Sequence, residues 1–96
     1  MDEKQRQILI ENMVSNLPAL RKVLGVSQEG LADILGVSRT TLAVVENRKR
    51  KMTWDMFLAL LMVFTKNKAT DQLLGPMGIY TDEFNAFIKF VEPKAK

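Results

Sequence analysis

At 96 residues, 47% of them apolar and 26% charged, the chain has the composition of one ordinary globular domain. It contains no cysteine and no histidine. Disulfides, thiolate metal sites, the commonest general base and the commonest metal ligand are therefore all missing, so neither an enzyme nor a metal- or cofactor-dependent protein is expected. The net charge of +3 is unevenly placed: seven basic and three acidic residues lie between Leu20 and Lys51, and the flanks add no positive excess.

The pattern predicts an all-α chain. Asp2 to Val14 reads as a helix, with Ile8, Leu9, Met13 and Val14 in one stripe and acidic residues near its start. Pro18 lacks a backbone donor and disfavours helical geometry at Leu17, so a break is predicted near Ser15-Asn16, with a new helix running to Leu24 and stopped by Gly25. Ser27 then caps a helix over Gln28 to Leu35, whose apolar face is Leu31, Ile34 and Leu35. Gly36 follows, where the backbone needs positive φ. After a turn of about three residues Ser38 caps the next helix, from Arg39 to about Asn47.

Thr53 caps a fourth helix running to about Thr65. The stretch Met56 to Phe64 is apolar on every side, so this helix should be buried on every side. Half of it can face the preceding helices, and the remainder needs either the C-terminal segment or a second copy of the chain. A short turn over Asp71 to Leu74 precedes Gly75-Pro76. Thr81 caps a last helix carrying Phe84, Phe87, Ile88 and Val91, and Pro93 ends the ordered part, leaving Lys94-Ala95-Lys96 frayed. No repeat or composition shift divides the chain, so residues 1–96 read as a single domain: a core over 17–66, an N-terminal helix over 2–15 and a C-terminal helical extension over 70–91. The polar N-terminus is unlike a secretory signal, and Met56 to Phe64 is far short of the ~20 residues that span a bilayer. A cytoplasmic protein without a membrane partner is expected.

Two short helices joined by a tight turn and followed by Arg48-Lys49-Arg50-Lys51 have helix-turn-helix geometry closed by a cationic tetrad. The residues carry a more specific likeness. Arg21, Ser27-Gln28, Leu31-Ala32, Gly36-Val37-Ser38, Leu42, Val45, Glu46-Asn47 and Lys49-Arg50 stand in ungapped register with the lambda-repressor/Cro-like (XRE) helix-turn-helix family. Residues Leu17 to Lys66, about half the chain, resemble that family. Two positions depart from it. Arg48 stands where a glycine is usual, which requires that residue to be strained, shifted, or relieved by Asn47 taking the left-handed geometry. Gly30 replaces a usual glutamate and so removes a capping box.

The resemblance implies a sequence-specific binder of double-stranded DNA, acting as a small transcriptional regulator and most simply as a repressor. Because Leu42 and Val45 must point to the core, Arg39, Thr40, Ala43, Val44 and Asn47 share the outward face of the recognition helix and are the candidate base contacts in the major groove. Arg39 suits guanine O6 and N7, and Ala43 and Val44 suit thymine methyl groups. The candidate phosphate contacts are Gln28, Ser38, Lys49, Arg50 and Lys51. In the family Gln28 holds a backbone phosphate from the start of its helix, and the positions of Arg21 and Glu46 form a buried structural ion pair. Ala32 is small where two helices approach.

Burial arithmetic, together with the two-fold habit of such proteins, predicts a homodimer on a palindromic operator. A promoter-binding antitoxin that holds a toxin through Met77 to Val91 is a close variant. A protein-interaction module that lost DNA binding should carry acidic or bulky residues on the recognition face, and Arg39, Thr40 and Ala43 are neither. RNA binding fits less well, because Trp54, Tyr80 and the phenylalanines fall mostly in core-like patterns.

Overall fold

Six helices make up the computed structural model, which describes residues 1–89: α1 Glu3–Leu24, α2 Gln28–Leu35, α3 Arg39–Glu46, α4 Trp54–Lys66, α5 Lys68–Leu74 and α6 Asp82–Ile88. There is no strand among the described residues. Each of the hydroxyl caps read from the sequence is formed: Ser27, Ser38, Thr53 and Thr81 accept from the backbone N–H three residues on. Asp2 and Gln5 close a reciprocal capping box at the start of α1. Gly36 ends α2 at φ 76°, and the Val37 N–H returns to the Ala32 carbonyl at 3.0 Å, which sets the three-residue turn into α3. Gly30 leaves α2 with the Ser27 half of a cap only.

The break expected at Ser15-Asn16 does not occur. Helix α1 runs unbroken through Pro18 for 22 residues. The reason is tertiary. Leu9, Ile10, Met13, Val14, Leu17 and Leu20 form one buried stripe on both sides of the proline, each under a tenth exposed. A proline inside a helix costs ~3 kcal/mol. Burying a large aliphatic side chain returns ~1.5–3 kcal/mol, so six of them in register outweigh one missing backbone bond. The expected helices over 2–15 and from Asn16 onward are thus one element, and the N-terminal extension is rigidly continuous with the first helix of the motif.

The core runs through all six helices: Leu31 and Ala32 from α2, Leu42 and Val45 from α3, Phe57, Leu60, Leu61 and Phe64 from α4, Leu74 from α5 and Phe84 from α6 join the α1 stripe. Thr70, fully buried, donates to the Phe64 carbonyl at 2.6 Å and so satisfies its hydroxyl across the α4–α5 corner. Residues 68–70 are already helical, so α5 is longer than the turn predicted for Asp71 to Leu74.

Helix α6 folds back onto α4. Phe84 is fully buried, with its ring edge-on to Trp54 and Phe57 (5.8 Å each) and to Tyr80 (5.5 Å), while Trp54 and Phe57 stack at 4.8 Å. These ring contacts are made with the first turn of α4. The all-round burial expected of α4 is not met, since Met62 is 66% exposed and Met56, Leu58, Ala59 and Val63 are half-buried. Phe87 and Ile88 of α6 are exposed as well. Val91 and Pro93, read from the sequence as the end of the last helix and its stop, and the tail from Lys94 to Lys96 lie outside the described residues.

Candidate nucleic-acid interface

The outward face of α3 presents the side chains expected of it. Arg39, Thr40 and Asn47 are exposed and Ala43 and Val44 half-buried, while Leu42 and Val45 sit in the core at 0% and 2%. Ser38 is exposed at the tip of the turn. Its Oγ accepts from the Thr41 N–H at 3.0 Å and shares a hydrogen bond with the Thr41 hydroxyl at 2.9 Å. The Ser38 hydroxyl is thus held as a cap, with its backbone N–H at the start of the helix.

Behind this face one carboxylate ties three helices together. Glu46 Oε2 accepts from Arg21 Nε at 2.6 Å, and Oε1 accepts from Arg21 Nη2 at 3.2 Å and from Gln28 Nε2 at 2.9 Å. Arg21 also reaches the Val26 carbonyl at 3.4 Å. The Glu46 side chain is 5% exposed and that of Arg21 19%. A fork-to-fork pair of this kind fixes orientation as well as distance. Gln28, expected on a phosphate, therefore spends one amide hydrogen on Glu46, and its second remains for another acceptor.

After α3 the chain turns on Arg48. Its φ is 64°, and it is the one non-glycine residue with positive φ among those described. The Arg48 N–H donates to the Val45 carbonyl at 3.1 Å and the Lys49 N–H to the Val44 carbonyl at 2.9 Å, which is the hydrogen-bond pattern of a helix ending on a left-handed residue. Of the three ways of replacing the expected glycine, the strained arginine is realised. Asn47 keeps φ −83°. For an L-residue this geometry costs ~1–2 kcal/mol.

The Arg48 side chain crosses to α1. Nη1 donates to Glu11 Oε1 at 2.8 Å and Nη2 to Ser15 Oγ at 2.9 Å, and the Ser15 hydroxyl donates to Glu11 Oε2 at 3.0 Å. Hydrogen bonds from Arg48 and then Ser15 hold the Glu11 carboxyl below its usual range, and the same carboxylate raises the arginine above its own. Lys49, Arg50 and Lys51 are exposed, and Arg50 and Lys51 border a shallow cavity of about 180 Å³ whose opposite wall is Gln7, Ile10 and Val14 of α1. Sequence reasoning does not bring Glu11 or Ser15 to this region. Their i, i+4 spacing is legible, but a break at Ser15 would separate them.

Residues 19–64 match the profile of the Helix-turn-helix family. The chain carries a lambda-repressor-like helix-turn-helix domain. Domains of this family bind DNA, which makes the chain a DNA-binding helix-turn-helix regulator in general terms. Comparison with curated proteins and with solved structures gave no match for the chain. Among the described residues no helix is long and apolar enough to cross a membrane, and no three carboxylates gather as a metal site would require. The profile match begins after Glu11 and Ser15, so the contacts of Arg48 with α1 join a residue inside the matched region to two outside it.

Proposed function

We propose that the protein is a sequence-specific, non-enzymatic repressor that works in the cytoplasm as a homodimer on a palindromic site, with α3 in the major groove. The observation that carries this reading is the division of α3: Leu42 and Val45 anchor it, leaving Arg39, Thr40, Ala43, Val44 and Asn47 outward at the exit of a helix-turn-helix. Arg39 is the base-reading cation, Thr40 contacts a base or a phosphate, and the methyl groups of Ala43 and Val44 read thymine. Gln28, the N-terminal end of α3 at Ser38, and the basic loop hold the two phosphate strands.

Selection of bound fragments from a genomic library defines the operator, and Arg39→Ala then tests the reading. Affinity should fall by ~1–3 kcal/mol at one base pair of each half-site, and preference should relax there alone. A uniform loss over all sequences would make Arg39 a phosphate contact, and unchanged binding would remove it from the interface.

The basic loop has a different signature. Replacing two of Lys49, Arg50 and Lys51 with alanine should weaken specific and non-specific binding alike. The plot of log affinity against log salt should flatten by roughly 0.9 for each phosphate no longer neutralised. A slope equal to that of the unmodified protein would show these side chains to be merely solvated.

A further inference from the structure

Arg48 occupies a backbone geometry that suits glycine, and its neighbour Asn47, which tolerates that geometry better than most residues, does not take it. The arginine does not make up for this through stability. The Arg48 and Glu11 side chains are 51% and 58% exposed, and ion pairs at such exposure contribute little to folding. What the pairing does is geometric. Guanidinium, carboxylate and hydroxyl form a closed three-membered ring of hydrogen bonds, with both Glu11 oxygens occupied. One anchor of that ring is the first residue of the basic loop, and the other two lie one helical turn apart on α1. From Arg48 the chain passes directly into Lys49 and Arg50, whose N–H groups both return to the Val44 carbonyl, at 2.9 and 3.2 Å. The path of the loop is thus fixed at its origin from two sides, by the end of α3 and by α1.

We infer that Glu11 and Ser15 are positioning residues for DNA binding: through Arg48 they set the direction in which Lys49, Arg50 and Lys51 leave the recognition helix. The stretch of α1 that precedes residue 19, outside the matched region, is on this view part of the interface without touching DNA. Its pairing with Glu11 keeps Arg48 itself from serving as a phosphate ligand, leaving three cations for the backbone. The inference rests on the DNA-binding reading proposed above.

The decisive variant is Glu11→Gln/Arg48→Gly. It removes one charge of each sign, so net charge is unchanged, and glycine keeps the left-handed turn. The fold should survive, with a melting temperature no lower than the parent's. Operator affinity should nevertheless fall by roughly three- to tenfold, as expected when coupling between neighbouring groups is broken. The salt slope should stay at the parent value, because the same phosphates are neutralised, while amide exchange at Lys49 and Arg50 should quicken. Ser15→Ala should show the same pattern more weakly, and Ser15→Thr, which keeps the hydroxyl, should bind like the parent.

Unchanged affinity and exchange in the double variant would overturn the inference and leave the ring a surface ornament. A slope reduced by about 0.9 would overturn it too, by showing that Arg48 leaves Glu11 and binds a phosphate. Failure of the unmodified protein to bind any duplex would refute the DNA-binding reading itself, and is distinguishable because it needs no variant.

Discussion

Glu46→Ala is expected to destabilise the domain by up to about 3–5 kcal/mol, because it leaves the part-buried Arg21 cation without its counter-charge. The carboxylate is 5% exposed and is the shared acceptor of Arg21 and Gln28. Without it the Arg21 side chain, 19% exposed, keeps only the long 3.4 Å bond to the Val26 carbonyl. A whole domain is stable by ~5–15 kcal/mol, so the loss would take a large share of the total. At ~4–8 °C per kcal/mol for a domain of this size, a loss of about 3 kcal/mol would lower the melting temperature by roughly 12 °C or more.

Denaturant unfolding should show the midpoint moving at constant slope. The apolar replacement Arg21→Met/Glu46→Leu should recover most of that stability, since a buried pair is often no better than well-packed hydrocarbon. It should not recover DNA affinity to the same degree, because Gln28 would lose the partner that holds it at the start of α2. A single-variant loss below about 1 kcal/mol would mean that the pair behaves as a solvated surface ion pair.

That pair also shows what the sequence can and cannot disclose. Arg21 and Glu46 are 25 positions apart, and nothing in their local spacing joins them; only the family register does. The short motif helices are legible from local chemistry alone, because capping by Ser27 and Ser38 and the left-handed turn at Gly36 are settled within four residues. Pro18 misleads for the complementary reason. Its local preference is strong, yet the stripe from Leu9 to Leu20 is satisfied only by packing against helices far along the chain. Arg48 stands out in the sequence as a backbone problem, but its solution lies in Glu11 and Ser15, brought close by the unbroken α1. Register places Gln28 outward, and the fold adds the bond to Glu46 behind it. Local signals thus set the caps and the outward face of α3, whereas every bond that holds that helix to α1 requires the tertiary arrangement.

The proposed dimer gives the second large effect, and Met62 is where to test it. With Met62 of α4 66% exposed and Phe87 and Ile88 of α6 43% and 45%, the chain leaves apolar surface on both helices. Leu58, Leu61, Met62, Tyr80 and Ile88 line a shallow cavity of about 310 Å³ there. Contiguous apolar surface of this kind usually marks an interface. A two-fold pairing would set the groove of one copy against the same groove of the other and bring two recognition helices onto half-sites about one DNA turn, ~34 Å, apart.

Met62→Glu should therefore yield a monomer at micromolar concentration by sedimentation, with its own stability changed by no more than ~0.5 kcal/mol, as is usual for an exposed position. Phe87→Glu is a less clean probe, because the Phe87 ring lies 6.5 Å from that of buried Phe84 and its removal would disturb the core. Affinity for the full palindrome should drop by about 5–150-fold, the span of ordinary coupling energies, while affinity for an isolated half-site is retained. That split separates impaired pairing from a damaged recognition helix, which would weaken both. If the unmodified chain sediments as a monomer and binds a single half-site as tightly as the palindrome, the dimer is wrong, and the surface around Met62 serves a different protein partner, such as a toxin.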